Sequence, residues 1–310
     1  MSGLTHEEAH IRAPKPGAMM HLAERSDARG LVQLAIHLGL LLLTGTLVAV
    51  LPGWWKAPAI MALGVVQAAL FAPFHETMHQ TAFATRRLNA IVGWLAGAPS
   101  FFNWHFYQSY HLAHHRHTQD PERDPELSIQ PPPARIGNYL LRLTTIPYWR
   151  SRFRIAVDGL RGDYSAYPYI HPDAAPRIIR SVRLMVAFVL GMALLAGVTL
   201  GWQAVLLFWV LPQLFGQCML RCYLLTEHTL CSNDRDGLTN TRTMLTNPVM
   251  RLLMWNMPYH AEHHLYPFIP FHRLAEAHEV VKGRLTHVHP GYVNWHRRFV
   301  GLLRTGGAAP

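Results

Sequence analysis

Three short runs of histidine carry the chemistry of this sequence: His75-Glu76-Thr77-Met78-His79, His111-Leu112-Ala113-His114-His115 and His260-Ala261-Glu262-His263-His264. On a helix, residues four apart share a face, so His75 and His79 point the same way. Positions one, four and five of the second and third runs bring three imidazoles within reach of one centre or of two neighbouring ones, and His117 stands just beyond the second run. Taken alone, the first run also fits the HExxH pattern of a zinc protease, with Glu76 as its base, or a solvated pair. The other two runs exclude the protease, because one zinc uses three protein ligands and a water. Clustered imidazoles that were not ligands would need other partners, or would repel one another on protonation. The count therefore implies two metals. Imidazole suits iron, zinc, copper and nickel alike, so ligand type does not name the metal. A further candidate is His228, which follows Glu227 at the end of an apolar run just as His75 does.

The elements that must position these histidines are apolar helices. Half of the residues are hydrophobic and 15% are charged, a balance that points to lipid. Residues 31–52 and 57–74 are two uncharged runs long enough to cross a bilayer, joined by a Pro52-Gly53 turn and the interfacial Trp54, Trp55 and Lys56. Residues 184–200 and 204–225 form a second such pair around Gly201-Trp202. A shorter stretch, residues 88–104, is broken by Gly93, Gly97 and Pro99 and reads as a buried or interfacial helix. The expected fold is all-α: four transmembrane helices in two hairpins under a cytoplasmic helical cap. Residues 1–30 form a cytoplasmic N-terminal segment without the features of a signal peptide, residues 31–300 the membrane domain and residues 301–310 a flexible tail. The hairpin turns hold only Lys56 among basic residues, which places the N-terminus, the middle section and the C-terminal part in the cytoplasm.

The formal charge of +10 comes mainly from arginines scattered through connecting segments, and this argues against nucleic acid as a partner. Cys218, Cys222 and Cys231 are too few for a disulfide framework and form no CxxC pair.

As a set, HETMH, HLAHH and HAEHH, with spans between the first two and the last, closely resemble the membrane fatty acid desaturase family and its hydroxylase and carotenoid ketolase relatives. The segments Asn240-Thr241-Arg242-Thr243 and Asn256-Met257-Pro258-Tyr259-His260 also look like bacterial members. The resemblance reaches from the first hairpin to about Leu285. It implies that His75, His79, His111, His114, His115, His260, His263 and His264 bind two iron ions, with His228 as an additional ligand. It also implies dioxygen as co-substrate, a hydrophobic lipid-like substrate, and a separate electron donor such as a ferredoxin, rubredoxin or cytochrome with its reductase. The location implied is a bacterial inner membrane with the site on the cytoplasmic face. The first box has three residues between its histidines where many acyl-lipid desaturases have four. Hydroxylases and ketolases share the shorter form, so it does not decide the reaction.

The expected activity is oxygen-dependent desaturation of a fatty acyl chain or related lipid. Hydroxylation or ketolation of a lipid, terpenoid or small apolar metabolite is the alternative, and a membrane metal-binding or transport protein is a third reading. Transport would need ligands at mid-depth in the bilayer, whereas these cluster beyond span ends. Glu76, Asp120, Asp124, Glu227 and Glu262 are near enough in sequence to orient imidazoles, or act as ordinary solvated or capping acids. Asn256 reads as a helix cap or weak ligand, and Arg221 and Arg242 as structural ion pairs or as contacts to a substrate headgroup or carboxylate. Phe101, Phe102, Trp104, Phe106, Tyr107 and Tyr110 wall an acyl channel or simply pack.

Overall fold

A computed structural model of the chain describes residues 12–306. It is helical almost throughout, and four helices have the length and hydropathy to cross a membrane: Asp27–Val50, Gly53–Met78, Pro172–Leu200 and Trp202–His228. The all-α expectation holds, with both hairpins in the expected order. The spans extend beyond the apolar runs because their ends continue as helix into polar sequence.

The second span is the hub. Only 17% of the first span's apolar window and 22% of the third's is buried inside the chain, against 61% for the second, so the first and third present most of their surface to lipid. Leu42, Leu43, Val198 and Leu200 are among their exposed side chains. The second and fourth spans meet through Gly64 and Gly216, where a Cβ on either glycine would lie 2.4 or 2.0 Å from the facing carbonyl oxygen. Such close backbone approach is how helices without a hydrophobic driving force gain packing in lipid. His37, buried in the first span, ties it to the second through its Nε2, 2.9 Å from the Val66 carbonyl oxygen.

Two prolines shape the span ends. Pro73 has no N–H for the Ala69 carbonyl, and the second span breaks there into Lys56–Ala69 and Phe71–Met78, which re-aims the turn carrying His75. Pro212 likewise leaves the Phe208 carbonyl without its helical donor, beside the π-helical turn Leu206–Val210. The Gln67 side-chain amide donates to that carbonyl at 2.7 Å, the internal satisfaction a bilayer demands. At the turn between the first two spans, Lys56 Nζ donates to the Val48 carbonyl at 2.8 Å, a cation at a helix C-terminus.

Residues 88–104 do not span: they yield the helix Arg86–Gly97, whose 12 residues reach about 18 Å. Shorter helices make up much of the rest, including Trp104–His117 and Ile146–Arg161 between the second and third spans and His260–Leu265 after the fourth. Thr243–Leu245 and Val288–Pro290 form a small parallel strand pair that no sequence signal indicated. The last helix, Tyr292–Thr305, runs through the start of the segment expected to be a tail, with Leu303 buried. Residues 1–11 of the expected N-terminal segment and residues 307–310 of that tail lie outside the described residues.

Candidate metal centre

The first histidine run ends the second span, and His228 ends the fourth. The second run lies on Trp104–His117, whose N-terminus is fixed by Asn103: its side-chain oxygen accepts from the Phe106 amide at 3.0 Å and its amide donates to Ser181 Oγ of the third span at 2.9 Å. The third run occupies His260–Leu265, anchored by Glu262, a fully buried carboxylate held by the Thr243 hydroxyl and His278.

These elements sort the imidazoles into two groups that cut across the sequence runs. His75, His79, His111, His115 and His263 place one nitrogen each within 4.8 Å of one another, and so do His114, His228 and His264. His111 and His115 share a helix face and turn one way while His114 turns the other, and the neighbours His263 and His264 diverge likewise. His260 borders the smaller group, its Nε2 3.2 Å from His228 Nε2. His117 joins neither group.

The donor set fits metal. His79 and His115 bring Nε2 to 2.8 and 3.0 Å from His111 Nε2, and His114 Nε2 is 3.2 Å from His228 Nε2. Nitrogens sharing one ion at bond lengths near 2.0–2.1 Å stand about 3 Å or slightly more apart. The Nε2 atoms of His75, His263 and His264 are buried and without a hydrogen-bond partner in the protein, which is costly unless a ligand meets them. Burial pushes His79 down to about 3 and holds His111, His115, His260, His263 and His264 well below the ordinary imidazole range, helped in these five by neighbouring histidines. They are thus neutral near pH 7 and offer a lone pair. For His114 burial acts downward too, but Glu126 and Asp124 outweigh it and raise the group.

Of the five carboxylates near the runs in sequence, one holds a metal-facing imidazole by hydrogen bond. Asp124 Oδ1 and Oδ2 accept from His114 Nδ1 at 2.9 and 3.0 Å, leaving Nε2 to face the group. The same carboxylate accepts the Gln119 and Glu126 amides, so it also caps Pro125–Ile129. Glu227 comes 3.5 Å from His260 Nδ1, Glu76 accepts the Phe271 amide, and Asp120 closes a local turn on Glu122. His228 Nδ1 is oriented by the Asn240 carbonyl at 3.1 Å, and Thr118 Oγ1 lies 3.3 Å from His264 Nδ1. Sequence reasoning missed Glu126, whose Oε2 is 3.7 Å from His114 Nε2. Its signal was the adjacency Asp124-Pro125-Glu126 just after the second run.

The arginines and Asn256 differ from expectation. Arg242 makes no ion pair: it donates to the Thr226 and Thr229 carbonyls, closing the C-terminus of the fourth span, and stacks over Trp295. Arg221 lies 4.5 Å over the Tyr148 ring, again without a carboxylate partner among the described residues. Asn256, in a left-handed conformation with φ 56°, is not the N-cap of the third-run helix, which is Tyr259, and its side-chain amide donates to the Phe271 carbonyl at 3.0 Å. The aromatic run divides: Phe102, Tyr107 and Tyr110 line a cavity against the histidines, Trp104 bonds Thr77 Oγ1, and Phe101 and Phe106 pack elsewhere.

Residues 52–295 match the family model described as fatty acid desaturase. Dihydrorhizobitoxine desaturase of Bradyrhizobium elkanii is 28% identical over 285 residues, covering 84% of this chain and 76% of that protein. An sn-1 oleoyl-lipid 12-desaturase of Picosynechococcus is 22% identical, covering 76% of this chain and 72% of its own length. A sphingolipid delta(4)-desaturase of Oryza sativa subsp. japonica is 25% identical over 68% of this chain and 59% of its own.

Proposed function

Since the chain belongs to the fatty acid desaturase family, and is a membrane protein of desaturase-like oxidoreductase activity, we propose that it introduces a double bond into an acyl chain or related lipid at two histidine-held irons, using dioxygen. The observation that carries this reading is the pair of imidazole groups at the ends of the second and fourth spans, one of five and one of three bordered by His260.

His75, His79, His111, His115 and His263 would hold one ion, and His114, His228 and His264, with His260 beside them, the other. Iron so bound supplies the reduction of dioxygen and an oxidant able to take hydrogen from an unactivated C–H bond. The protein's own part is placement. Asp124 and the Asn240 carbonyl fix which nitrogen of His114 and His228 faces inward, and Phe71, Phe102 and Tyr107 give the cavity beside the site an apolar wall. Two hydrogens leave the substrate and both oxygens leave as water, so two electrons must come from outside. A separate ferredoxin, rubredoxin or cytochrome would deliver them, docking on a cytoplasmic face of a bacterial inner membrane, the side that the arginine distribution favours. That all three named relatives are desaturases supports loss of hydrogen over gain of oxygen. The position of the histidines at span ends speaks against transport.

The test is mass spectrometry of lipids and small apolar metabolites from a host expressing the chain, beside one expressing His114→Ala. A product about two mass units lighter, absent with the variant, is the expected result. A product about sixteen units heavier would move the reading to hydroxylase or ketolase, and an identical product from the variant would overturn it.

A further inference from the structure

We propose that the cavity beside the metal centre contains a carboxylate-binding subsite, formed by Arg142, Arg152 and Arg221, that holds an acid group of the substrate. The inference rests on the desaturase reading and narrows its substrate class: an acyl substrate that carries a free carboxylate.

The same cavity is lined by His75, His111, His114 and His260 and by all three guanidiniums. Arg152 and Arg221 are only 7% and 3% exposed, and charges buried that deeply are ordinarily paired. Among the described residues, the arginine–carboxylate pairs are Arg154–Asp158 and Arg273–Glu276, neither of which belongs to the cavity. The cavity's arginines are held by neutral groups instead. Arg221 reaches Gln130 Oε1 at 3.4 Å and Gln217 Oε1 at 3.5 Å, and Arg142 reaches Gln130 Oε1 at 3.3 Å. Arg152 lies 5.1 Å over the Phe102 ring and meets only Ser151 Oγ, at 3.4 Å. The Nε of each is buried without a partner.

Two carboxylates, Glu126 and Glu227, line the cavity with them, so the guanidiniums exceed the acids by one. A substrate carboxylate would meet guanidinium N–H groups that have no acid partner among the described residues, and the planar fork of arginine is built to take it by paired hydrogen bonds. A chain of ring contacts links the arginines to the histidines: Phe102 under Arg152 contacts Tyr107 at 5.8 Å, and Tyr107 stacks on His111 at 5.2 Å. Phe71, Leu224 and Met257 are the apolar part of the same lining.

The experiment uses the iron-loaded, full-length protein in a neutral detergent. Its thermal unfolding and heat of binding are followed with sodium butanoate, hexanoate and octanoate, with their methyl esters, and with inorganic phosphate. The expected result is that the acids stabilise the protein while the esters and phosphate do not. Arg152→Gln and Arg221→Gln should each weaken acid binding by about ten-fold or more at unchanged iron content. Arg142→Gln, at a partly exposed position, serves if a buried variant fails to fold. Equal response to acid and ester, response to phosphate alone, no response, or undiminished acid binding in the glutamine variants would each overturn the subsite. Those outcomes would leave the mass-spectrometric test of a metal-dependent product untouched, so the subsite and the desaturase reading fail separately.

Discussion

The two imidazole groups are built from the same residue type and share the helices Trp104–His117 and His260–Leu265, with the second span completing one and the fourth span the other, yet their surroundings differ. The group of five is an almost purely imidazole environment: His75, His79, His111, His115 and His263 contact one another and aromatic rings, as where Tyr107 stacks on His111. The group of three is embedded in carboxylates, with Asp124 on His114, Glu126 close to the same imidazole and Glu227 against neighbouring His260. Burial, helped by the neighbouring imidazoles, sets the electrostatics of the first, and burial keeps His79 near 3. In the second, negative charge competes with burial and wins at His114. Similar ligands can thus be tuned differently by what stands behind them, giving the two sides of one centre unequal charge.

The largest effect should come from removing one ligand of each group. His263→Ala and His114→Ala should each lower turnover by about a hundred-fold or more, with the membrane fold intact by circular dichroism. Elemental analysis should show each losing about half of the bound metal; full occupancy in either variant would break the assignment to two groups. Next in size, Asp124→Asn keeps the cap's shape but removes the charge behind His114, and should weaken metal at the group of three by about 10–100-fold while sparing the other. Competition with a chelator, read as two phases of metal release, measures this, and a single unchanged phase would argue that the groups are equivalent. Glu126→Gln should act in the same direction but less, by a factor of about three to ten, because its oxygen stands 3.7 Å from His114 and makes no hydrogen bond to it. Smallest is Thr118→Val, which removes a 3.3 Å contact to His264 and should cost about 1 kcal/mol or less in metal binding, measured by the same competition.

The spans were legible because a bilayer imposes a length and an apolar composition that show in consecutive residues. The histidine runs stood out because helical spacing shows which imidazoles can share a face, and His228 because of its place at the end of a span. Asp124 could be named from proximity, but Glu262 and Glu76 were equally near in sequence and turned to His278 and the Phe271 amide. Direction around a helix end depends on the neighbouring packing, which distance along the chain does not encode. Arg242 was misjudged for a related reason: its partners are backbone carbonyls, present at every position and therefore invisible in a residue pattern.

What the sequence determined by itself was an all-α membrane chain with four spans, the end of the bundle where imidazoles collect, and enough of them for two metals. Those properties follow from composition and from the 3.6-residue repeat, which act locally. The tertiary structure alone decided how the imidazoles divide, with His111 and His115 on one side and His114 on the other, and His263 parted from His264. It also decided that three arginines from separate helices line the cavity beside them. Both depend on how helices meet in space, set here by the Gly64–Gly216 contact and the Asn103–Ser181 bond, each of which joins residues far apart in the chain.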